Sequence, residues 1–384
     1  MHICVVTEEC PSKEYSIYPF TEQLCKALSC EDIKVSVISP QSITKSIFRG
    51  IPFKKIKSSI SNTKSNIIDV YRPLTISFGS ILFLNKLNSL LFSIAIHRGF
   101  RRIHNRPDVI YAHFWHNGLI AYKALHKYGL PLFIASGECD IDEILINKNK
   151  LIHDFISYVK GVICVSTKNK NASILLELAD EEKCIVLPNG INSNLFYKKD
   201  KIKCREILGI NKDDFIVAFV GSFEERKGAN RVADAISKLH DKCIKSIFIG
   251  KTLDGTTPYL PLCDGILYCG SLSHNKVPDY LNCADIFVLP TLSEGCSNSI
   301  IEALGCGLPV ISSNLPFNTD ILNESNSVLI DPNNIEEIAS AIIELKDNPV
   351  KRDKLSQGAL DTARNLCIEM RASNIFEFIQ SKIP

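Results

Sequence analysis

The chain has 384 residues, with 44 Lys and Arg against 42 Asp and Glu, for a formal net charge of +2. That length suits two domains, and 45% hydrophobic with 22% charged residues is ordinary globular composition. The composition excludes a disordered chain, and with no run of about 18 apolar residues no segment reads as a membrane-spanning helix.

The predicted elements begin with a strand over residues 3–6. The start lacks the basic residues and long apolar core of a signal peptide. A loop rich in Pro, Ser and Tyr covers 8–19. A helix over 20–28 and a strand over 34–39 follow, and a βαβ start predicts a parallel sheet. Residues 43–106 carry 12 basic residues and a single acidic one, Asp69, among Phe48, Phe53, Phe78, Phe83, Phe92 and Phe100. Such a stretch suits anionic lipid or a phosphorylated acceptor, although a basic run is as often a solvated face. An amphipathic helix is predicted over 81–103.

A strand over 108–112 then ends at His113, followed by a helix over 118–127 and a strand over 132–135. His113 thus falls at a strand's carboxyl end, a good place for chemistry, although a lone His is more often structural. Asp140 and Asp142 precede a predicted helix and read as N-terminal charges, not metal ligands. Strands over 161–166 and 184–187 complete this run. Asn189-Gly190 is a turn signal. The chain then restarts with strand Phe215–Val220, a helix over 230–238 and a strand over 245–250. Two successive α/β runs split near 190 predict two Rossmann-like domains. Helical patterns over 335–345 and 352–378 close the chain. The 15 cysteines are scattered and never spaced Cys-x-x-Cys, which suits buried free thiols in a reducing cytoplasm.

Residues 285–320 carry the most chemistry. Strand Ile286–Leu289 runs into a polar loop with Glu294. Ser297 is a candidate N-cap for a helix over 299–304, which Gly305 and Gly307 end before a strand at 308–311. The loop falls at the carboxyl end of a strand, where open α/β sheets bind ligands. Backbone N–H groups at the helix start favour an anion such as phosphate. Ionised Glu294 and Glu302 only accept hydrogen bonds and so suit hydroxyls. Phosphate and hydroxyls together describe a sugar nucleotide, although a Glu pair at this spacing is more often solvated.

Glu294-x7-Glu302 followed by Ala303-Leu-Gly-Cys-Gly-Leu-Pro-Val-Ile311 resembles the signature of the retaining glycosyltransferases of family 4. The likeness extends upstream through Tyr280-Leu-Asn-Cys-Ala-Asp-Ile-Phe-Val-Leu-Pro290. Gly221-Ser-Phe-Glu-Glu-Arg-Lys-Gly228 is similar to the family's second signature, and Pro188-Asn-Gly-Ile-Asn192 to its interdomain junction. The resemblance implies an α/β protein of the GT-B fold, two doubly wound Rossmann-like domains facing a central cleft. Residues 1–187 would bind acceptor and 188–365 the nucleotide sugar, with a helix over 366–384 crossing back to the first domain.

It also implies site roles. Arg226 and Lys227 would hold the donor diphosphate and stabilise the leaving group. Glu294, with backbone N–H groups of Gly295, Cys296, Ser297 and Asn298, would orient the sugar. Glu302 would hold the ribose. Gly221, Ser222 and the loop with Leu272 would line the donor site. Relatives carry an Arg where Ser222 stands, a His where Gly137 stands and a Glu where Asp320 stands. They often have a glycine-rich turn where 11–19 has none. Glu138 and His113 become candidate acceptor or sugar contacts. No metal or cofactor is expected. The implied activity moves a sugar from a nucleotide diphosphate sugar to a hydroxyl of a lipid-linked glycan in bacterial surface polysaccharide synthesis. The place of action would be cytoplasmic, peripheral on the inner face of the plasma membrane through 43–106. A nucleotide-sugar epimerase and a non-catalytic sugar-nucleotide-binding protein are the alternatives. The basic residues come without a nucleic-acid module, so no nucleic-acid partner is expected.

Overall fold

The computed structural model describes residues 1–8, 19–29, 33–79, 84–141, 145–146, 149–252, 257 and 259–383. The loop over 8–19, Phe83 and Asp142 therefore lie largely or wholly outside the described residues. Two compact units divide the chain, Met1–Leu187 with Arg371–Pro384, and Pro188–Met370.

The first unit is built on an eight-stranded sheet. Its order is Cys184–Val186, Val159–Cys164, Leu132–Ser136, Val109–His113, His2–Val6, Lys34–Ile38, Ile67–Tyr71 and Lys57–Ser61. Only the last pair is antiparallel. The central strands are buried along their whole length, as expected where both faces of a parallel sheet are covered. Helix Ile368–Lys382 also serves this unit. Its Phe378 ring lies 6.3 Å from that of Phe133, and a side chain at Gly161 would come within 2.8 Å of Phe378 and 2.9 Å of Phe133.

The helix expected over 81–103 is Asn85–Phe100, and it is not cleanly amphipathic. Ala95, Ile96 and Phe100 are buried while Leu87, Leu90 and Ile94 are exposed. Apolar residues thus occupy two faces. The basic stretch is not one open face either. Arg72 is buried and donates to Ser58 Oγ at 2.6 Å. Arg98 donates to the Leu74 carbonyl at 2.6 Å, and Lys57 lies 3.3 Å from Asp69.

The second unit holds six strands, all parallel. Their order is Ile266–Gly270, Ile244–Ile249, Phe215–Val220, Ile286–Leu289, Val310–Ser313 and Ser327–Ile330. By chain position this reads third, second, first, fourth, fifth, sixth, the Rossmann order. At the carboxyl ends of its first three strands Gly221 donates to the Ile249 carbonyl and Gly250 to that of Gly270, both at 2.9 Å. A Cβ on Gly250 would lie 1.8 Å from the Gly221 carbonyl oxygen, so only glycine lets the loop ends approach so closely.

The single helical run expected over 352–378 is two helices, Pro349–Arg364 and Ile368–Lys382. The break has a backbone cause. Ile191 takes a hydrogen bond from Ile368 N at 2.9 Å and gives one to Leu366 O at 2.7 Å, so these groups leave the helical ladder for a parallel bridge at Cys367. The described cysteines are free thiols, Cys4, Cys164, Cys283 and Cys306 among the buried ones. Among the described residues no helix is long and apolar enough to cross a membrane.

Candidate donor site in the second unit

Strand order locates the site before any residue role is considered. The order reverses between Phe215–Val220 and Ile286–Leu289, and open α/β sheets bind ligands beyond the carboxyl ends of strands at such a switch point. The loops leaving these two strands are 221–228 and 290–297. They carry Arg226 and Lys227 on one side and Glu294 on the other.

The two loops meet through that carboxylate. Glu294 is 7% exposed. Its Oε1 accepts from Lys227 Nζ at 2.5 Å and Thr291 Oγ1 at 2.9 Å, with Arg226 Nη1 at 3.3 Å. Arg226 also donates to the Ser293 carbonyl at 2.5 Å and to Glu224 Oε1 at 2.7 Å. Ser222 Oγ donates to the same Glu224 oxygen at 2.7 Å. Ser222 thus supplies no cation of its own, and Arg226 reaches over the same carboxylate. Two cations converging on a nearly buried carboxylate form a charged centre with fixed geometry, suited to an anionic ligand whose charge grows during reaction.

Sequence reasoning missed Arg231, which sets this geometry. It lies on helix Ala229–Leu239 and is buried. Its guanidinium donates to the carbonyls of Glu225 at 2.8 Å and Pro290 at 2.7 Å, and more weakly to that of Arg226 at 3.4 Å. One side chain therefore ties both loops together. Gly228 makes room for it: φ is +80°, and a Cβ there would meet the guanidinium at 2.6 Å and Pro290 O at 2.9 Å. The only sequence signal was a charged residue on the apolar face of a strongly amphipathic helix.

Ser297 stands at the N-cap of helix Asn298–Gly305 with extended backbone, but its side chain makes no capping hydrogen bond; its hydroxyl lies 3.2 Å from that of Ser299. The first N–H groups of this helix therefore have no capping bond from the Ser297 side chain. Gly295, Cys296 and Ser297 are buried, and the Cys296 carbonyl accepts from Asn189 Nδ2 at 3.3 Å. Strand-end hydroxyls brace the loop: Ser312 Oγ donates to Leu289 O at 2.7 Å and Ser313 Oγ to Thr291 O at 2.5 Å. Asn318 supports that strand end, giving Nδ2 to Ser313 O at 2.8 Å. Glu302 lies one helix face on and accepts from His274 Nε2 at 2.7 Å. Leu272, half-buried, precedes that histidine in the same loop.

His113 and Glu138 belong to the first unit; His113 ends a strand at the matching switch point between His2–Val6 and Val109–His113, and Glu138 follows the neighbouring strand Leu132–Ser136. His113 is buried, with its ring 4.6 Å from Phe114 and 5.4 Å from Phe20. Phe114 has φ +76°, a rare conformation for a bulky residue, and such strain clusters at functional turns. Glu138 Oε1 accepts from Trp115 N at 2.5 Å, and Oε2 from Gly137 N at 2.8 Å and Ser136 Oγ at 3.2 Å. It therefore caps helix Trp115–Leu125. Burial raises its carboxyl above the ordinary range, and these hydrogen bonds oppose the rise.

Burial, then the charge of Arg371, holds the His113 imidazole at about 4, against an ordinary 6.5. The native state resists protonation, so the unfolded chain takes up the proton first as pH falls. Stability present above 6.5 is lost on the way down to 4, by about 3 kcal/mol at the limit. His113→Gln should flatten this part of a stability–pH profile measured by denaturant unfolding. Equal slopes in both proteins would refute the assignment.

Residues 200–362 match the model of the glycosyl transferases group 1 family. That match lies within the second unit and marks it as similar to the group 1 glycosyltransferases, and the fold of the chain is GT-B. Three likenesses fill this in. A protein of Bacillus subtilis (strain 168) assigned to teichuronic acid biosynthesis as glycosyltransferase TuaC is 27% identical over 271 residues, covering 67% of this chain and 66% of that one. The UDP-Gal:alpha-D-GlcNAc-diphosphoundecaprenol alpha-1,3-galactosyltransferase of Escherichia coli is 25% identical over 295 residues, covering 68% of this chain and 76% of it. Sucrose-phosphate synthase of Thermosynechococcus elongatus superposes with a TM-score of 0.79 at 18% identity, covering 99% of this chain and 98% of that one.

Proposed function

We propose that this chain is a retaining glycosyltransferase that moves a sugar from a nucleoside diphosphate sugar to a hydroxyl of a lipid-linked glycan. The observation that carries the reading is the convergence of Arg226 and Lys227 on Glu294 beside an uncapped helix start, at the switch point of a Rossmann sheet. In this reading the diphosphate displaces part of the Glu294 pairing and takes the two cations. Charge that builds on the departing phosphate is then met by groups already in place. Glu294 turns to the sugar hydroxyls, backbone N–H groups at 295–298 orient the sugar, and Glu302 takes the ribose. The acceptor hydroxyl attacks from the face the nucleotide leaves, and the leaving phosphate oxygen takes its proton. The Escherichia coli relative, named for a UDP-sugar and a diphosphoundecaprenol acceptor, supports the donor class and a lipid-linked acceptor.

Because side-chain cations face the diphosphate, turnover should need no metal. The test is release of free nucleotide on mixing a nucleotide sugar with an undecaprenyl-diphosphate-linked acceptor in excess EDTA. Loss of all release in EDTA, restored by manganese, would overturn this part of the reading.

In this reading a lipid-linked acceptor would bring the enzyme to an anionic membrane. Exposed Phe48, Phe53 and Leu90 lie in the basic stretch with Lys45, Lys54 and Lys55. Hydrogen bonds from Thr44 to Ser77 at 2.5 Å and from Phe78 to Asn88 at 2.9 Å draw its segments together. The protein should co-sediment with vesicles containing phosphatidylglycerol and release in high salt. Equal sedimentation with neutral vesicles would argue against the electrostatic contact.

A further inference from the structure

We propose that His274 is the positioning residue for nucleotide recognition, holding the Glu302 carboxylate in the orientation that takes a ribose diol. This rests on the donor-site reading above. His274 sits in a helical turn, His274–Lys276, that leaves the third strand of the sheet. Glu302 comes from helix Asn298–Gly305, beside the fourth and fifth strands. Twenty-eight residues apart, they meet at 2.7 Å between Nε2 and Oε1, both partly buried.

The pair is built rather than incidental. Phe196 backs the imidazole with ring centroids 5.0 Å apart, so the ring is located by packing and the carboxylate by its hydrogen bond to the ring. An ionised carboxylate only accepts, so Nε2 carries the hydrogen and donates it. Only Oε1 is engaged. Among the described residues no side chain or backbone group donates to Oε2. A carboxylate with one oxygen anchored and the other open is what a cis-diol requires, since both hydroxyls donate. Without His274 the Glu302 side chain would be free to rotate, and ordering it on binding would cost affinity.

The chemistry of this contact is ribose-specific, which separates it from a general role in the fold. The first measurement is calorimetric affinity of the full chain for UDP, GDP and ADP, and the tightest of these becomes the probe. If none binds, the donor-site reading itself falls. With a bound probe, His274→Ala should weaken affinity about threefold to tenfold, the loss expected from freeing one side chain. His274→Gln, whose amide also donates, should stay within about twofold of wild type. The 2′,3′-dideoxy form of the same nucleotide should bind wild type and His274→Ala alike. The penalties of His274→Ala and Glu302→Ala should not add in the double variant, because one acts through the other.

Unchanged affinity in His274→Ala would overturn the proposal while leaving the donor site standing. So would an equal loss for the dideoxy nucleotide, which would make the histidine a structural support. Should His274→Ala fail to fold, His274→Phe keeps a ring against Phe196 without the donor, and the same two readings decide.

Discussion

Lys227→Ala should lower turnover about 10²–10³-fold in a protein that still folds. Loss of a single preorganised group facing developing charge costs about 2.7–4 kcal/mol of transition-state stabilisation. The geometry argues that Lys227 is such a group. Its side chain is only 15% exposed, and Nζ is already fixed at 2.5 Å from Glu294. Little ordering remains for the reaction step. The variant leaves Glu294 with Arg226 and Thr291 as partners, so the carboxylate is not stranded and the fold should survive. Ground-state binding of the nucleotide should fall less than turnover, because the charge on the leaving phosphate is greatest in the transition state. Turnover by nucleotide release and affinity by calorimetry give the two numbers. Near wild-type turnover in a folded Lys227→Ala protein would end the assignment.

Arg231→Met should be costly in another way. Methionine matches much of the volume but donates nothing, so the carbonyls of Glu225 and Pro290 lose a buried charged donor. Each orphaned acceptor costs about 1–3 kcal/mol. A lowering of stability by about 2–5 kcal/mol is expected in urea unfolding. Turnover should fall as well, since the loops bearing Arg226 and Glu294 lose their shared tie, and small misplacements of positioning groups are expensive. Arg231→Lys should recover only part, because an ammonium cannot span the same carbonyls with a planar fork. A variant with wild-type midpoint and wild-type turnover would show that the tie is dispensable.

The parallel core was legible in the sequence because its strands are long apolar runs. Phe215–Val220 and Ile286–Leu289 are buried throughout or nearly so, as are His2–Val6, Val109–His113 and Leu132–Ser136 in the first unit. The edge hairpin was not. Lys57–Ser61 is polar at every position but Ile60, with alternating exposure, and its pairing with Ile67–Tyr71 depends on tertiary contact, not on a local signal. The helix break at 365–367 was hidden for a similar reason, since its cause is Ile191, far away in the sequence. At the site, Arg226, Lys227, Glu294 and Glu302 were visible as chemical types in recognisable settings. Arg231 and His274 were not, because one binds carbonyls and the other a carboxylate that only the fold brings near. Glu138 was read as an acceptor or sugar contact; in the fold its Oε1 accepts from Trp115 N at a helix start and its Oε2 from Gly137 N.

The first unit is assembled from two stretches of chain, 1–187 and the residues from 371 onward, while 188–370 forms the second unit without interruption. During synthesis the ribosome therefore releases all of the second unit before it releases Phe378. Until that ring arrives, the sheet of the first unit is open at Gly161 and Phe133. Domains made of contiguous chain fold as they emerge. The N-terminal half, translated first, thus closes only when the last stretch of chain brings Phe378 to Phe133 and Gly161.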